Sequence, residues 1–247
     1  VLATGVNVID LSAACELGIC VTNIPAYGPA SVAQMVFSHL LNLVQPVGYY
    51  ADTVRDGRWS ASPDFCYYDH SMLELEGMTM GLVGYGAIAQ RVAKLAEAFG
   101  MRLLVHARRR PETLPEHAEY VSCDELFSRS DVVSLHCPLN DENQQMVSAA
   151  RLALMKSSAY LINTARGPLI DETALYRTLR DKRIAGAALD VLSQEPPAVD
   201  NLLLTLDNCV ITPHIAWATL AARGRLLAIA EDNLRAYMGG QVINRVN

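Results

Sequence analysis

The stretch TMGLVGYGAIAQRVAKLAEAFG, Thr79 to Gly100, limits the possible folds of this chain more than any other. Met80, Leu82 and Val83 form a short apolar run, Gly84-Tyr85-Gly86 offers a turn, and Ile88, Val92, Leu95 and Phe99 then recur at i, i+4, i+7 and i+11. That order predicts a strand, a tight glycine turn and an amphipathic helix. Glycine at 84 and 86 lets a pyrophosphate approach the exposed N–H groups where the helix opens at Ala87 and Ile88. The third glycine of a Gly-x-Gly-x-x-Gly fingerprint is Ala89, a replacement the fingerprint allows. The stretch reads as a dinucleotide site, the alternative being an ordinary buried turn.

Composition narrows the class. With 247 residues and 51% hydrophobic content, the chain can bury a sizeable core and falls between one large domain and two. A net charge of -6 argues against nucleic acid or an anionic membrane as the main partner, because both reward a basic face. No apolar run reaches the length of a bilayer span, and no signal peptide is visible. The six cysteines contain no Cys-x-x-Cys pair and predict reduced, buried thiols of a cytoplasmic protein without a metal site. Val1 opens inside an apolar segment, VLATGVNVIDL, so the natural sequence is expected to continue upstream.

From Val1 to Pro25 the pattern predicts a helix and a short strand, Gly18 to Val21. Pro29 opens a helix through about Val44 that is apolar on nearly every face, with His39 as a satisfied core histidine or, less simply, a ligand. Residues 48–77 are polar and aromatic, either an arm at a dimer surface or a packed connection. Beyond the glycine turn, apolar runs at Arg102–His106, Asp131–His136, Ala159–Asn163, Ala185–Val191 and Cys209–Thr212 alternate with helices. That alternation predicts an α/β fold with a doubly wound parallel sheet covered on both faces. Ser122 and Glu125 form a capping-box pattern, and Asp171 is placed to cap the helix Glu172–Lys182. The last helix, about Trp217 to Met238, carries Leu220, Leu227, Ala230, Leu234 and Tyr237 on a stripe expected to pack back across the fold.

In an open parallel sheet, ligands bind outside the carboxyl ends of the strands. Three polar residues follow strand runs at such ends: Arg166 after LINTA, Glu195 in DVLSQEPP, and His214 after VITP. Singly, they could be a surface ion-pair partner, a solvated loop charge and a helix cap. Together they suit reduction of a 2-oxo acid. A guanidinium can hold a carboxylate bidentately, an imidazolium can protonate a ketone oxygen as hydride arrives, and a carboxylate can orient that imidazole.

The motifs ATGVNVIDL, VTNIPAYGPASVAQ, GLVGYGAIAQ, SLHCPL, LINTARGPLID, AALDVLSQEPP and ITPHIAWAT give the chain a resemblance to the D-2-hydroxyacid dehydrogenase family, and within it to members acting on glycerate and hydroxypyruvate. The resemblance implies a Rossmann-like dinucleotide domain, residues 28–219, inserted into a smaller substrate domain that keeps residues 1–27 and 220–247. It implies an NAD(P)-dependent reductase of hydroxypyruvate or glyoxylate that works as a homodimer on small 2-oxo or 2-hydroxy acids. Arg166 is then the substrate anchor, His214 the acid–base group and Glu195 its partner. Asp190 lies near the nicotinamide, and His136, Cys137, Pro138, Thr164 and Ala165 belong to the cofactor cleft. A dinucleotide-sensing corepressor-like module on the same fold is the competing reading. Family members also carry, upstream of where this sequence starts, a backbone loop that grips the substrate carboxylate.

The fingerprint places an Asp or Glu about 20 residues past the glycines, where it binds the ribose 2'-hydroxyl. Here that place holds Ala107, followed by Arg108, Arg109 and Arg110. Without the acidic group a 2'-phosphate is not repelled, and Arg108, with Arg109 beside it, attracts it, so NADP is expected over NAD. The alternative is a solvated arginine turn before Pro111, with NAD held by backbone groups and His106.

Overall fold

The alternating pattern downstream of residue 79 folds into one sheet of seven parallel strands. The structure is a computed structural model that describes residues 1–247. Three helices come first: α1 (Leu11–Glu16), α2 (Pro29–Val44) and α3 (Val47–Arg55). The sheet then begins with β1 (Thr79–Val83) and continues through α4 (Ala87–Ala98), β2 (Arg102–His106), β3 (Ala118–Tyr120), α5 (Cys123–Arg129) and β4 (Val132–Leu135). After these come α6 (Ala149–Leu154), β5 (Tyr160–Asn163), α7 (Glu172–Arg180), β6 (Gly186–Leu189), β7 (Cys209–Ile211) and α8 (Leu220–Met238). Spatial order is β3-β2-β1-β4-β5-β6-β7, so the chain winds outward from β1 in one direction and then restarts at β4 in the other. That is the doubly wound arrangement, with its switch point between β1 and β4.

The sheet is buried on both faces, and alternate residues of a strand serve opposite layers. Met80 and Leu82 of β1 and Ile162 of β5 enter the layer of α2 and α4, while Val83, Leu135 and Leu161 enter that of α5, α6 and α7. Leu82, Leu161 and Phe127 have no exposed surface. Each such side chain contributes roughly 1.5–3 kcal/mol by leaving water, which accounts for near-continuous apolar strands rather than alternating ones. The expected caps are present. Ser122 Oγ accepts from Glu125 N (3.2 Å) and Asp171 Oδ1 from Ala174 N (3.0 Å), but the Glu125 carboxylate turns to Arg129 (2.6 Å), so the capping box is half formed.

The chain divides into two units, Ala33–His214 and a smaller one made of Val1–Val32 with Ile215–Asn247. These bounds fall within five residues of the domain limits expected at 27/28 and 219/220. In the smaller unit the Ser31 hydroxyl donates to Ala216 O (2.6 Å), which ties the first turn of α2 to the returning chain.

Several expectations are corrected. Gly18–Val21 is not a strand: Ile19 N bonds back to Ala14 O of α1, Val246 N of the C-terminal tail donates to Val21 O, and the adjacent Thr22 makes a single bridge with Arg245. Residues 48–77 contain most of α3, whose exposed surface hid its periodicity among aromatic and polar residues. Edge strand β3 has three residues, none of them buried, too few for a pattern to register. The final helix starts at Leu220, capped by Thr219, and of its apolar stripe Ala230 packs against the cluster of Ile24, Tyr27, Ala222 and Leu226 while the larger residues face outward. Leu220, Leu227, Leu234 and Tyr237 are 81%, 62%, 60% and 56% exposed. The buried face is Ala222, Leu226 and Asn233, because Asn233 Nδ2 donates to Asn23 O (2.9 Å) and Leu226 packs with Ile24 and Tyr27. No helix is long and apolar enough to cross a membrane.

Candidate active site

The glycine turn is shaped by what lies across it. Gly84 has φ +94° and donates its N–H to His106 O (2.7 Å), which carries the chain from β1 toward the end of β2. A Cβ there would meet Cys137 N and the His136 carbonyl at 2.8 Å, so close approach and backbone sign both demand glycine. Gly86 is different: a Cβ on it would meet nothing in the protein. It is the N-cap of α4 and supplies no side-chain cap. Its missing side chain therefore leaves open space beside unsatisfied helix N–H groups, where an anionic group fits. Ala89 is fully buried among the residues beneath α4, so a methyl group is accommodated where other fingerprints have glycine.

Around this turn lies a cleft of about 380 Å³. Gly84, Gly86, Ala107, Arg108, Arg109, His136, Cys137 and Pro138 all line it. Ala87, Ile88, Thr164, Ala165 and Asp190 do not. Tyr85, Asn140 and Asn143 line it as well and escaped the sequence reading. A signal for the last two existed. Asn140 Oδ1 accepts from Glu142 N and Asn143 N, and Asn143 Oδ1 from Asn140 N, the Asx-turn habit of an Asn-x-x-Asn spacing.

The three arginines separate by environment. The Tyr120 hydroxyl donates to Ala107 O (2.8 Å), the His106 ring stacks on Tyr120, and the Arg110 guanidinium lies 5.7 Å over the Tyr120 ring. Arg110 is thereby directed onto the edge strand, while Arg108 and Arg109 face the cleft. On its other wall, His136 Nε2 is buried without a hydrogen-bond partner, and burial lowers this imidazole to about 3. Burial likewise raises the Cys137 thiol to about 11. These walls are uncharged at neutral pH. Thr164 Oγ1, just past β5, is a second buried polar atom without a partner. Orphaned polar atoms at strand carboxyl ends, an open helix N-terminus and facing guanidinium groups together fit a nicotinamide dinucleotide.

A second constellation gathers at the ends of β5, β6 and β7. Asn163 is buried, its side chain donating to Arg166 O (2.8 Å) and accepting from Ala165 N (2.9 Å), so it shapes the turn that presents Arg166. Gly167 packs so closely on the next loop that a Cβ would meet Leu192 C at 1.9 Å. Leu192 N in turn donates to Glu195 Oε1 (3.0 Å). The turn bearing Arg166 and the loop bearing Glu195 are therefore seated on one another. Glu195 Oε2 lies 2.6 Å from His214 Nδ1. Facing a carboxylate, Nδ1 carries the proton, which leaves Nε2 as the ring nitrogen outside that contact. Both side chains are more than a third exposed, so a small molecule can reach them.

His214 has φ +53°, and its N–H donates to both Asp190 O (2.8 Å) and Thr212 O (2.9 Å). Asp190 is buried and accepts from the Thr212 hydroxyl (2.5 Å), which stands 3.1 Å from His39 Nε2. His39 is thus a satisfied core histidine.

Comparison with known proteins agrees with this geometry. Residues 37–216 match the family model described as D-isomer specific 2-hydroxyacid dehydrogenase, NAD binding domain. The chain is 45% identical over 248 residues to a hydroxypyruvate reductase of Blautia hydrogenotrophica, covering 100% of this chain and 77% of that one. It is 40% identical over 248 residues to a glycerate dehydrogenase of Methylorubrum extorquens, with the same coverage of 100% and 77%. Among solved structures, the D-lactate dehydrogenase of Aquifex aeolicus complexed with NAD and lactic acid superposes with a TM-score of 0.86 at 36% identity, covering 97% of this chain and 75% of that one. With the strand-end triad, the open glycine turn and these matches in agreement, the chain belongs to the D-isomer specific 2-hydroxyacid dehydrogenase family.

Proposed function

We propose that the protein reduces small 2-oxo acids, hydroxypyruvate and glyoxylate foremost, to the corresponding 2-hydroxy acids. The observation that carries this reading is the 2.6 Å pair of His214 Nδ1 and Glu195 beside the turn that presents Arg166. A nicotinamide cofactor, when bound, would supply the hydride, which the side chains of this protein cannot. The Arg166 guanidinium pairs with the substrate carboxylate through two parallel N–H donors and thereby fixes which carbonyl is presented. His214 holds the proton on Nε2 and delivers it to the ketone oxygen, so that no alkoxide is left unprotonated. Glu195 accepts from Nδ1 and so fixes the tautomer and orientation of the ring. Relatives named for hydroxypyruvate and glycerate chemistry favour this enzyme over a corepressor-like module.

Gly84, Gly86, Ala87 and Ile88 would hold the pyrophosphate, Arg108 and Arg109 the adenosine end. Ala107, His136, Cys137, Pro138, Thr164, Ala165 and Asp190 would complete the cofactor site. NADP is the preferred form, supported by Ala107 in the acidic position and two arginines at the cleft. Homodimer formation is supported by exposed apolar surface past α3, including Trp59, Phe65 and Tyr68 at 52%, 88% and 73% exposure. Six free cysteines support a cytoplasmic setting. The unit of residues 1–32 and 215–247 is assigned to the substrate domain. The test is oxidation of NADPH and NADH by the purified protein with a panel of 2-oxo acids. Turnover with hydroxypyruvate or glyoxylate is expected; cofactor binding without turnover on any 2-oxo acid would return the reading to a sensing module.

A further inference from the structure

His39 comes from α2 and stands 173 residues from Thr212, yet the two meet inside the fold at 3.1 Å. The Thr212 hydroxyl has one proton, and its 2.5 Å contact gives that proton to Asp190 Oδ1. Its oxygen must then accept from His39, so His39 Nε2 carries a hydrogen. Burial lowers this imidazole below its ordinary value while Asp190 pulls it up, and the neutral ring has this nitrogen as its donor. His39 and Asp190 are 3% and 1% exposed, and the chain His39–Thr212–Asp190 is a directed one.

What it is attached to gives it a consequence. The only two backbone carbonyls that receive the His214 amide belong to Thr212 and Asp190, the same two residues whose side chains are joined. His214 sits at φ +53°, a conformation that costs about 1 kcal/mol or more for a residue with a Cβ and persists only where its surroundings over-determine it. We propose that His39 is a positioning residue for the acid–base histidine, acting through the Thr212–Asp190 pair to hold the His214 backbone in its left-handed conformation. The proposal rests on the assignment of His214 as proton donor. His39 touches neither substrate nor His214 itself.

The test compares His39→Leu, His39→Gln, Thr212→Val and the His39→Leu/Thr212→Val pair. His39→Leu should lower kcat about tenfold, the size of one lost hydrogen bond to a charged network, with KM for hydroxypyruvate and cofactor affinity changed less than about twofold. His39→Gln, which keeps a donor, should recover most of the loss. The double variant should be no slower than Thr212→Val alone, because one relay cannot be cut twice. Wild-type kcat in His39→Leu with only a lower unfolding temperature would overturn the proposal, as would full additivity in the double variant. Should His39→Leu not fold, His39→Gln against Thr212→Val decides on the same criteria. An inactive wild type would instead defeat the proposed function. In that event ¹⁵N spectra of the histidine rings still read the relay: His39 protonated at Nε2 and shifted in Thr212→Val is expected, whereas a ring protonated at Nδ1 alone overturns it.

Discussion

Replacing Arg108 by alanine should cost the protein its preference for NADPH while leaving NADH nearly untouched. One pair of unit charges at about 4 Å is worth roughly 1 kcal/mol in water and about 4 kcal/mol at an effective dielectric near 20. Arg108 and Arg109 both line the cleft and both are exposed, which places the interaction in the lower part of that range. A preference of about 1–3 kcal/mol, or roughly 5- to 150-fold, follows for the wild type. Arg108→Ala should remove most of it, with NADH affinity changed by less than about twofold. Arg110→Ala should do little, because that guanidinium lies over Tyr120. Fluorescence titration of both reduced cofactors reads the effect directly. Repeating it at high salt adds a check, since the Debye length shrinks from about 10 Å at 0.1 M to about 3 Å at 1 M and the preference should shrink with it. Equal or tighter binding of NADH by the wild type would refute the reasoning and leave the arginines as a solvated turn.

His214→Ala should reduce kcat about 10²- to 10⁴-fold with little change in cofactor affinity, because proton transfer is lost while the dinucleotide is held elsewhere; steady-state kinetics showing near-full rate would remove His214 from the chemistry. Arg166→Lys keeps a charge but loses the planar fork, so KM for the 2-oxo acid should rise and kcat fall. If neither changed, Arg166 would be a surface ion-pair partner. The His136 imidazole, lowered to about 3 by burial, titrates near 6.5 once the chain unfolds. The unfolded state therefore binds the extra proton, and stability should decline as pH falls below about 6.5, by roughly 1–2 kcal/mol near pH 5. Denaturant unfolding of wild type and His136→Phe at neutral and acid pH measures this, and an equal acid loss in the variant would assign the effect to other groups.

What the sequence alone determined about this protein is whatever depends on neighbours a few residues apart. The strand, glycine turn and helix of residues 79–100 are of this kind, as are the caps at Ser122 and Asp171, because 3.6-residue spacing and a side chain reaching the amide three residues on are local matters. The placing of Arg166, Glu195 and His214 at strand ends was legible for the same reason, given that strands of a parallel sheet all point one way. Tertiary structure alone decided the rest. It turned the larger residues of the apolar stripe of α8 outward, since the identity of the packed face is set by Ile24, Tyr27 and Asn23, about 200 residues earlier in the chain. It made Gly84 obligatory through His136 and Cys137, gave Arg110 to Tyr120, and joined His39 to Asp190 through Thr212. In each case the partners are distant in sequence, and only closure of the sheet brings within hydrogen-bond or van der Waals reach groups that no spacing rule connects.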